Sequence, residues 1–211
     1  MFEIEYNGGN AVTISTKKTI LFIDPKTSIY GLKDRKIRDG VQLATDDRLM
    51  IDNSEASVTI CSPGEYEVGE FTIKGIAAQR HIDPVEDEKK SIIYRIECGD
   101  TRIGLIGNIA PKLTDDQLEN IGVVDILIIP VGGGGYTLDA TDASALVRSI
   151  DPKVVVPVHY SDSGLSYEVP QENVDIFVKT LSVPEEKTPK LKVKSTVSLP
   201  DNLTIYTITR S

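Results

Sequence analysis

The sequence is poor in the residues that build disulfide and metal frameworks. It holds two cysteines, two histidines, two methionines and no tryptophan among its 211 residues. Cys61 and Cys98 lie far apart and form no Cys-x-x-Cys pair, so neither a zinc ribbon nor a disulfide framework is indicated. Both stand in strand-like apolar contexts, and we expect both to be buried as small hydrophobic residues.

Positive charge is also scarce. The chain has 23 Lys and Arg against 32 Asp and Glu, a net charge of −9, and such a surface repels a phosphate backbone unless its basic residues cluster. The basic cluster from Lys33 to Arg38 is short and interrupted by Asp34, which is typical of a solvated loop. The sequence therefore argues against a nucleic-acid partner, while a small-molecule ligand, a protein partner and a homo-oligomer stay open.

Long apolar runs are absent. No stretch approaches the length of a membrane span. The first residues, Met1 to Tyr6, lack the basic and then apolar pattern of a signal peptide. We therefore expect no membrane association and a cytoplasmic location.

The hydrophobic pattern divides the chain into a strand-rich first part and a second part in which helices and strands alternate. Apolar and polar residues alternate from Phe2 to Tyr6, as in a half-buried strand. Capping-box spacing at Thr114–Gln117 predicts a first helix, a second is predicted to end at Ile150, and Pro170 suits the start of a third. This order predicts an α+β or layered α/β fold in one domain, residues 1–211.

Polar stretches between these elements are predicted to be loops, turns or connectors. They are residues 26–40, Ser62–Gly69, His81–Lys90 and Ser182–Lys190. The string Pro63–Val68 is the most distinctive of them, and its residues indicate no mechanism.

The most informative stretch is Asp151–Tyr160. Its unbroken apolar run Val154–Val158 predicts a strand buried on both faces, which delivers the imidazole of His159 to the rim of a sheet. A second buried strand leads into the glycine turn Gly132–Gly135. That turn lacks the lysine of a P-loop and the spacing of a dinucleotide fingerprint, so nucleotide binding is not expected.

The strings "FIDP", "DILIIPVGGGGYT" and "DPKVVVPVHY" together resemble the metallo-β-lactamase superfamily, especially its small Zn-dependent hydrolase branch. The resemblance covers nearly the whole chain and implies a four-layer αββα sandwich of two mixed sheets. It also implies a metal-dependent hydrolase whose two metal ions lower the pKa of a bridging water. In that family the ligands come from a His-x-His-x-Asp-His loop, a later His, an Asp in a "GDT" turn and a last His.

Carried onto this chain, the resemblance places the last His at His159 and the later His at His81. The "GDT" turn matches Gly107 to Ile109, where Asn108 stands in place of the bridging Asp. The anionic bridge between the metals is therefore missing. For His81, which opens a charged and proline-containing segment, an exposed surface position is the alternative.

The loop of four ligands matches the least well. Its first His falls on Asp46, its second on Arg48 and its Asp-His pair on Met50-Ile51. The early "FIDP" strand brings Asp24, which the resemblance makes a buttress of this loop and which the spacing alone also allows as a turn cap before Pro25.

These departures decide the functional prediction. Two histidines cannot supply the usual ligand set, and an arginine cannot coordinate a metal because it is always protonated. We therefore predict a degenerate member that has lost the dinuclear site and is non-catalytic or binds a small ligand, with no cofactor, and with Arg48 paired to Asp46 or Asp24. The alternative is a divergent hydrolase with a single zinc or other divalent metal on His81, His159 and Asp46.

Overall fold

The computed structural model describes residues 1–52, 54–82 and 90–211. Within these ranges the α-helices are α1 Asp115–Ile121, α2 Ala140–Ile150 and α3 Val174–Leu181. Short 3₁₀ turns lie at Thr27–Tyr30, Asp47–Leu49 and Thr196–Ser198. The strands are β1 Phe2–Gly8, β2 Ala11–Ser15, β3 Ile20–Ile23, β4 Val41–Leu43, β5 Val58–Ile60, β6 Gly64–Val68, β7 Phe71–Ala78, β8 Ser91–Cys98, β9 Thr101–Leu105, β10 Ile126–Pro130, β11 Val154–Val158, β12 Glu185–Thr188, β13 Leu191–Val193 and β14 Thr204–Ile208.

The strands of the described residues form two mixed sheets. The first has six strands in the order β13-β1-β2-β3-β4-β5, and the second has eight in the order β12-β14-β11-β10-β9-β8-β7-β6. In the second sheet β6 to β9 form an antiparallel meander, whereas β9, β10, β11 and β14 run parallel. The predicted fold class, mixed α and β with two sheets and helices, is confirmed.

The parallel strands β10 and β11 are the most deeply buried part of the second sheet. All five residues of each strand are buried, and they pair in register from Ile126 opposite Val154 to Pro130 opposite Val158. A strand covered on both faces needs apolar side chains at every position, which explains the unbroken apolar runs in the sequence. His159 follows the last residue of β11 and is therefore held by a rigid, buried element.

The start of α1 and the end of α2 lie where the sequence predicts them. Thr114 and Gln117 form the predicted capping box of α1. The Asp139 carboxylate accepts hydrogen bonds from the amides of Thr141 and Asp142 at the start of α2, which ends at Ile150. Each cap satisfies amide groups that a helix leaves unpaired at its first turn.

The third helix begins later than predicted. Pro170 precedes it, and α3 starts after its N-cap Asn173. The reason is that residues 170–172 are held elsewhere: the Glu172 amide donates to the carbonyl of Gly132 at 2.7 Å, and the Gln171 side chain contacts His159. These bonds tie the segment to the glycine turn before the helix can begin.

Two segments predicted as a turn and a connector contain strands. Ser62–Gly69 contains β6, and Ser182–Lys190 contains β12. Both strands are edges of the eight-stranded sheet, where charged side chains are common and the apolar alternation of an inner strand is absent. The Tyr66 hydroxyl lies 2.8 Å from Ser62 Oγ and donates to the Ser62 carbonyl oxygen at 3.0 Å, so within the Pro63–Val68 string it closes the turn before β6.

The remaining expectations concern single residues and loops. Cys98 is buried as predicted, whereas Cys61 is half-buried because it lies just beyond the short edge strand β5. Most of the predicted loop His81–Lys90, residues 83–89, lies outside the described residues. In the described part of the chain no helix is long and apolar enough to cross a membrane.

Gly132→Ala tests how closely β11, the glycine turn and Gln171 approach one another. A Cβ at Gly132 would overlap the carbonyl oxygen of His159 and Oε1 of Gln171. We expect the variant to lose about 1–3 kcal/mol of stability in urea unfolding and to shift the imidazole resonances of His159. Gly135→Ala is the control for the His159 signal, because its Cβ meets no atom within 4 Å; any stability that it loses comes from the left-handed φ of 70°. An unchanged His159 signal in Gly132→Ala would contradict this packing.

Candidate functional site

The predicted site residues follow the carboxyl ends of strands from both sheets. Asp24 follows β3, Asp46 lies just beyond β4, Asn108 beyond β9, and His159 directly follows β11. Hydrogen bonds between the sheets bring these ends together: Asn10 Nδ2 donates to Asn108 Oδ1 at 2.9 Å, and the His159 amide donates to the carbonyl of residue 9 at 2.8 Å. The rim between the sheets is therefore the candidate site.

Asp24 supports the loop that carries Asp46. Its backbone adopts a left-handed φ of 45°, and its carboxylate accepts hydrogen bonds from the amide and the hydroxyl of Thr45, both at 2.7 Å. Only 1% of Asp24 is exposed. Burial raises the pKa of its carboxyl to about 7, although the bonds from Thr45 act in the opposite direction.

Both carboxylate oxygens of Asp46 are hydrogen-bonded to Arg48. The Arg48 side chain donates from Nε to both carboxylate oxygens at 3.1 Å and from Nη2 to Oδ2 at 2.7 Å, and the Arg48 amide donates to Oδ1 at 3.0 Å. The carboxylate side chain is 1% exposed. Burial alone would raise the pKa of Asp46, but the hydrogen bonds from Arg48 outweigh it and hold the pKa below its ordinary value.

A second arginine and His81 lie on the same side. Arg80 Nη1 is 3.4 Å from Asp46 Oδ2. The backbone of Arg80 bridges to Ile109, and the His81 amide donates to the carbonyl of Asn108 at 3.0 Å. His81 is half-buried, and its Nδ1 is buried without a hydrogen-bond partner in the described structure.

His159 is the most enclosed of the predicted residues. It is 1% exposed, adopts a left-handed φ of 50°, and its Nδ1 lies 3.0 Å from Gln171 Oε1. Gln171 Nε2 donates to the carbonyl of Val169 at 3.0 Å. This orientation leaves Oε1 as the acceptor, so His159 Nδ1 carries the proton and Nε2, which is buried and unpartnered, is bare.

Tyrosine rings surround His159. Their centroids lie 5.6 Å away for Tyr30, 5.6 Å for the stacked Tyr136 and 4.9 Å for Tyr167. Because this environment excludes water, burial lowers the pKa of His159 to about 4, although the bond to Gln171 favours the charged form. The imidazole is therefore neutral at physiological pH.

Tyr136 joins the two halves of the site. The Arg48 guanidinium lies over its ring, 5.9 Å from the centroid, and the same ring stacks on His159. Tyr136 directly follows the glycine turn, which holds its backbone through a bond from the Tyr136 amide to the carbonyl of Gly133. An aromatic ring thus separates the Asp46–Arg48 pair from the imidazole.

Several of these residues were not found from the sequence. They come from segments between residue 10 and residue 171 and are Asn10, Tyr30, Arg80, Tyr136, Tyr167 and Gln171. For two of them a signal was present, because Asn10 ends a glycine turn and Tyr136 follows another beside the predicted strand ends. The other four carry no motif, and only the fold brings them to His159 and Asp46.

The comparisons establish the family. A family model for the beta-lactamase superfamily domain matches residues 3–159, so the chain belongs to this superfamily. The solved structure of a proposed Zn-dependent hydrolase of the metallo-beta-lactamase superfamily from Thermotoga maritima is 22% identical with a TM-score of 0.78, covering 99% of this chain and 100% of that one. A metallo hydrolase from Ignicoccus hospitalis is 15% identical with a TM-score of 0.64, covering 86% and 90%.

Curated relatives match over part of their length. A UPF0173 metal-dependent hydrolase of Carboxydothermus hydrogenoformans is 29% identical over 102 residues, 46% of this chain and 45% of that protein. A UPF0173 protein of Pyrococcus abyssi is 28% identical over 123 residues, 56% of this chain and 54% of that protein. The chain thus spans about half the length of these relatives.

The donor set does not fit the metal centre that the family implies. Among the described residues, no three His, Cys, Asp or Glu side chains converge into a group that could hold a metal ion. Both oxygens of Asp46 already accept from Arg48. A guanidinium has no lone pair to donate and stays protonated, so Arg48 cannot act as a ligand.

Arg48→Ala tests how much the ion pair stabilises the protein. The variant leaves a buried carboxylate with Arg80 as its remaining cation in the described structure, and we expect a loss of about 1–3 kcal/mol in urea unfolding. Arg38→Ala is the matched control, because the Arg38–Glu55 pair is exposed and worth about 1 kcal/mol or less. Equal losses of unfolding free energy in both variants would show that the buried Asp46–Arg48 pair stabilises the protein no more than an exposed ion pair.

His159 predicts a pH dependence of stability. The unfolded chain protonates this histidine near pH 6.5 and the folded chain only near 4, so its contribution is complete above pH 6.5 and is lost as the pH falls towards 4. The loss amounts to about 3 kcal/mol. We expect urea unfolding of wild type to show this slope relative to His159→Asn. Asp24 gives the opposite slope, because its raised pKa stabilises the folded protein at low pH and this contribution is lost as the pH rises towards 7. Both proteins contain Asp24, so subtracting the His159→Asn curve from the wild-type curve removes this slope.

With two histidines in the chain, imidazole ¹⁵N spectra provide a direct check. His159 is expected to stay neutral and protonated at Nδ1 at pH 6. A His159 pKa near 6.5, or a proton on Nε2, would contradict the assigned environment.

Proposed function

We propose that this chain is a beta-lactamase superfamily domain that has lost the dinuclear metal centre and keeps the cleft as a site for a small ligand. The Asp46–Arg48 pair carries the proposal. The Arg48 guanidinium is paired with Asp46, the carboxylate at a position that matches the family's metal-binding loop. The protein itself therefore supplies the positive charge beside this carboxylate. Hydrolysis through a pair of metal ions is not part of the proposed activity.

The electrostatics support this proposal. Two unit charges about 4 Å apart interact by about 4 kcal/mol at an effective dielectric constant of 20, and a dication doubles that energy. A divalent ion bound to Asp46 would face the Arg48 guanidinium at comparable range and would first have to displace its hydrogen bonds to both carboxylate oxygens. The bridging position is neutral as well, because Asn108 has an uncharged amide, whose Oδ1 already accepts from Asn10.

The alternative, a hydrolase with one metal on His81, His159 and Asp46, has one observation in its favour. His81 Nδ1 and His159 Nε2 are both buried nitrogens without a partner, and a bare imidazole nitrogen is a good zinc ligand. Against it, no set of three His, Cys, Asp or Glu ligands converges within residues 1–52, 54–82 and 90–211. The metal-dependent hydrolase activity named for a relative therefore stays the second candidate.

Metal content separates the two functions. Wild type and His159→Ala, purified without chelator, are both expected to contain no stoichiometric zinc, iron or manganese by elemental analysis. Added zinc is expected to leave the Tm of wild type unchanged, because a metal at about 100 times its Kd would otherwise add about 2.7 kcal/mol. A stoichiometric metal that disappears in His159→Ala would overturn the proposal and establish the single-metal alternative.

A further inference from the structure

A small cavity opens beside His159. Its volume is about 50 Å³, roughly four times the space that one water needs. Its lining combines three tyrosine rings, an imidazole and two aliphatic side chains with the polar side chains of Glu168 and Gln171. The cavity therefore has room for a compact group of about four heavy atoms.

Four of the lining rings form a cage. Tyr30, Tyr136 and Tyr167 each contact the His159 imidazole, and Tyr30 and Tyr167 contact one another with centroids 5.3 Å apart. The rings meet at different angles, from 16° between Tyr136 and His159 to 80° between Tyr30 and His159. Ring faces carry negative potential and attract cations within about 6 Å of the centroid.

The charge of the lining also favours a cation. Glu168 is an exposed carboxylate at this cavity, and no Lys or Arg is among its lining residues. Nδ1 of the imidazole donates to Gln171, and burial of His159 favours the neutral ring, so the ring adds no positive charge. The nearby Arg48 lies over Tyr136, but its charge is matched by Asp46.

We propose that the cage of Tyr30, Tyr136, Tyr167 and His159, with Glu168 beside it, binds a small alkylated ammonium group. The inference rests on the proposed function, because it requires that the cleft serves a ligand rather than a metal. A trimethylammonium group has four heavy atoms, the size that the cavity admits, and is recognised by ring faces without needing hydrogen-bond acceptors.

The test is a titration of the intact ¹⁵N-labelled protein with tetramethylammonium chloride, followed by the imidazole resonances of His159. We expect saturable shifts at His159 and none at His81. Sodium chloride at equal ionic strength is the salt control, and tert-butanol is the neutral ligand of similar shape. Shifts with tert-butanol as large as those with tetramethylammonium would show an apolar cavity only and overturn the proposal.

Two pairs of variants locate the binding. Tyr167→Leu removes a ring and is expected to weaken tetramethylammonium binding about tenfold, whereas Tyr167→Phe keeps the ring and is expected to bind within about twofold of wild type. Glu168→Gln, a change at an exposed position, is expected to weaken binding several-fold without affecting the Tm. If neither Tyr167→Leu nor Glu168→Gln weakens binding, the cage is not the site.

The same sample separates this inference from the proposed function. Zinc added after the titration is expected to leave the His159 signals in place. Zinc-induced shifts at both histidines would contradict the proposed loss of the metal site, whether or not tetramethylammonium binds. If neither tetramethylammonium nor zinc shifts the His159 signals, the ammonium site is contradicted and the proposed loss of the metal site is not.

Discussion

A carboxylate that is buried beyond the end of β4 needs a positive partner, and Asp46 has Arg48 at 2.7 Å with Arg80 at 3.4 Å. Asp46 is held by four hydrogen bonds from Arg48, and its loop is fixed from behind by the bonds between Asp24 and Thr45. The same guanidinium lies on Tyr136, which stacks on His159. One ion pair thus sets the positions of both halves of the rim, since a buried charge without a partner would be strongly destabilising.

The fold and the chemistry of its rim have separate physical requirements. The two sheets are stabilised by buried apolar strands such as β10 and β11, whose side chains are not part of the rim. At the rim, Asn10 donates to Asn108, and Gln171 accepts from Nδ1 of His159. Polar residues at the strand ends can therefore change while the superfamily fold is kept, which is why membership of the family does not by itself define an activity.

Local patterns predicted much of this structure, and contacts distant in sequence account for the rest. The buried strands and the first two helices followed from apolar runs and capping residues. Arg48 was predicted to pair with Asp46 or Asp24, and its partner in the structure is Asp46. Pro170 was misleading because its segment bonds to Gly132 and His159 instead of starting a helix. The tyrosine cage could not be predicted, because Tyr30, Tyr136 and Tyr167 meet only through the packing of three separate loops.

The central claim is that Arg48 stands where a metal-dependent relative would hold its ion. Anomalous diffraction at the zinc edge, from crystals grown with excess zinc, measures this directly. The account predicts no anomalous peak beside Asp46, His81 or His159, with the Arg48 guanidinium still on the Asp46 carboxylate. A peak within coordination distance of Asp46 and a histidine, with Arg48 turned away, would contradict it.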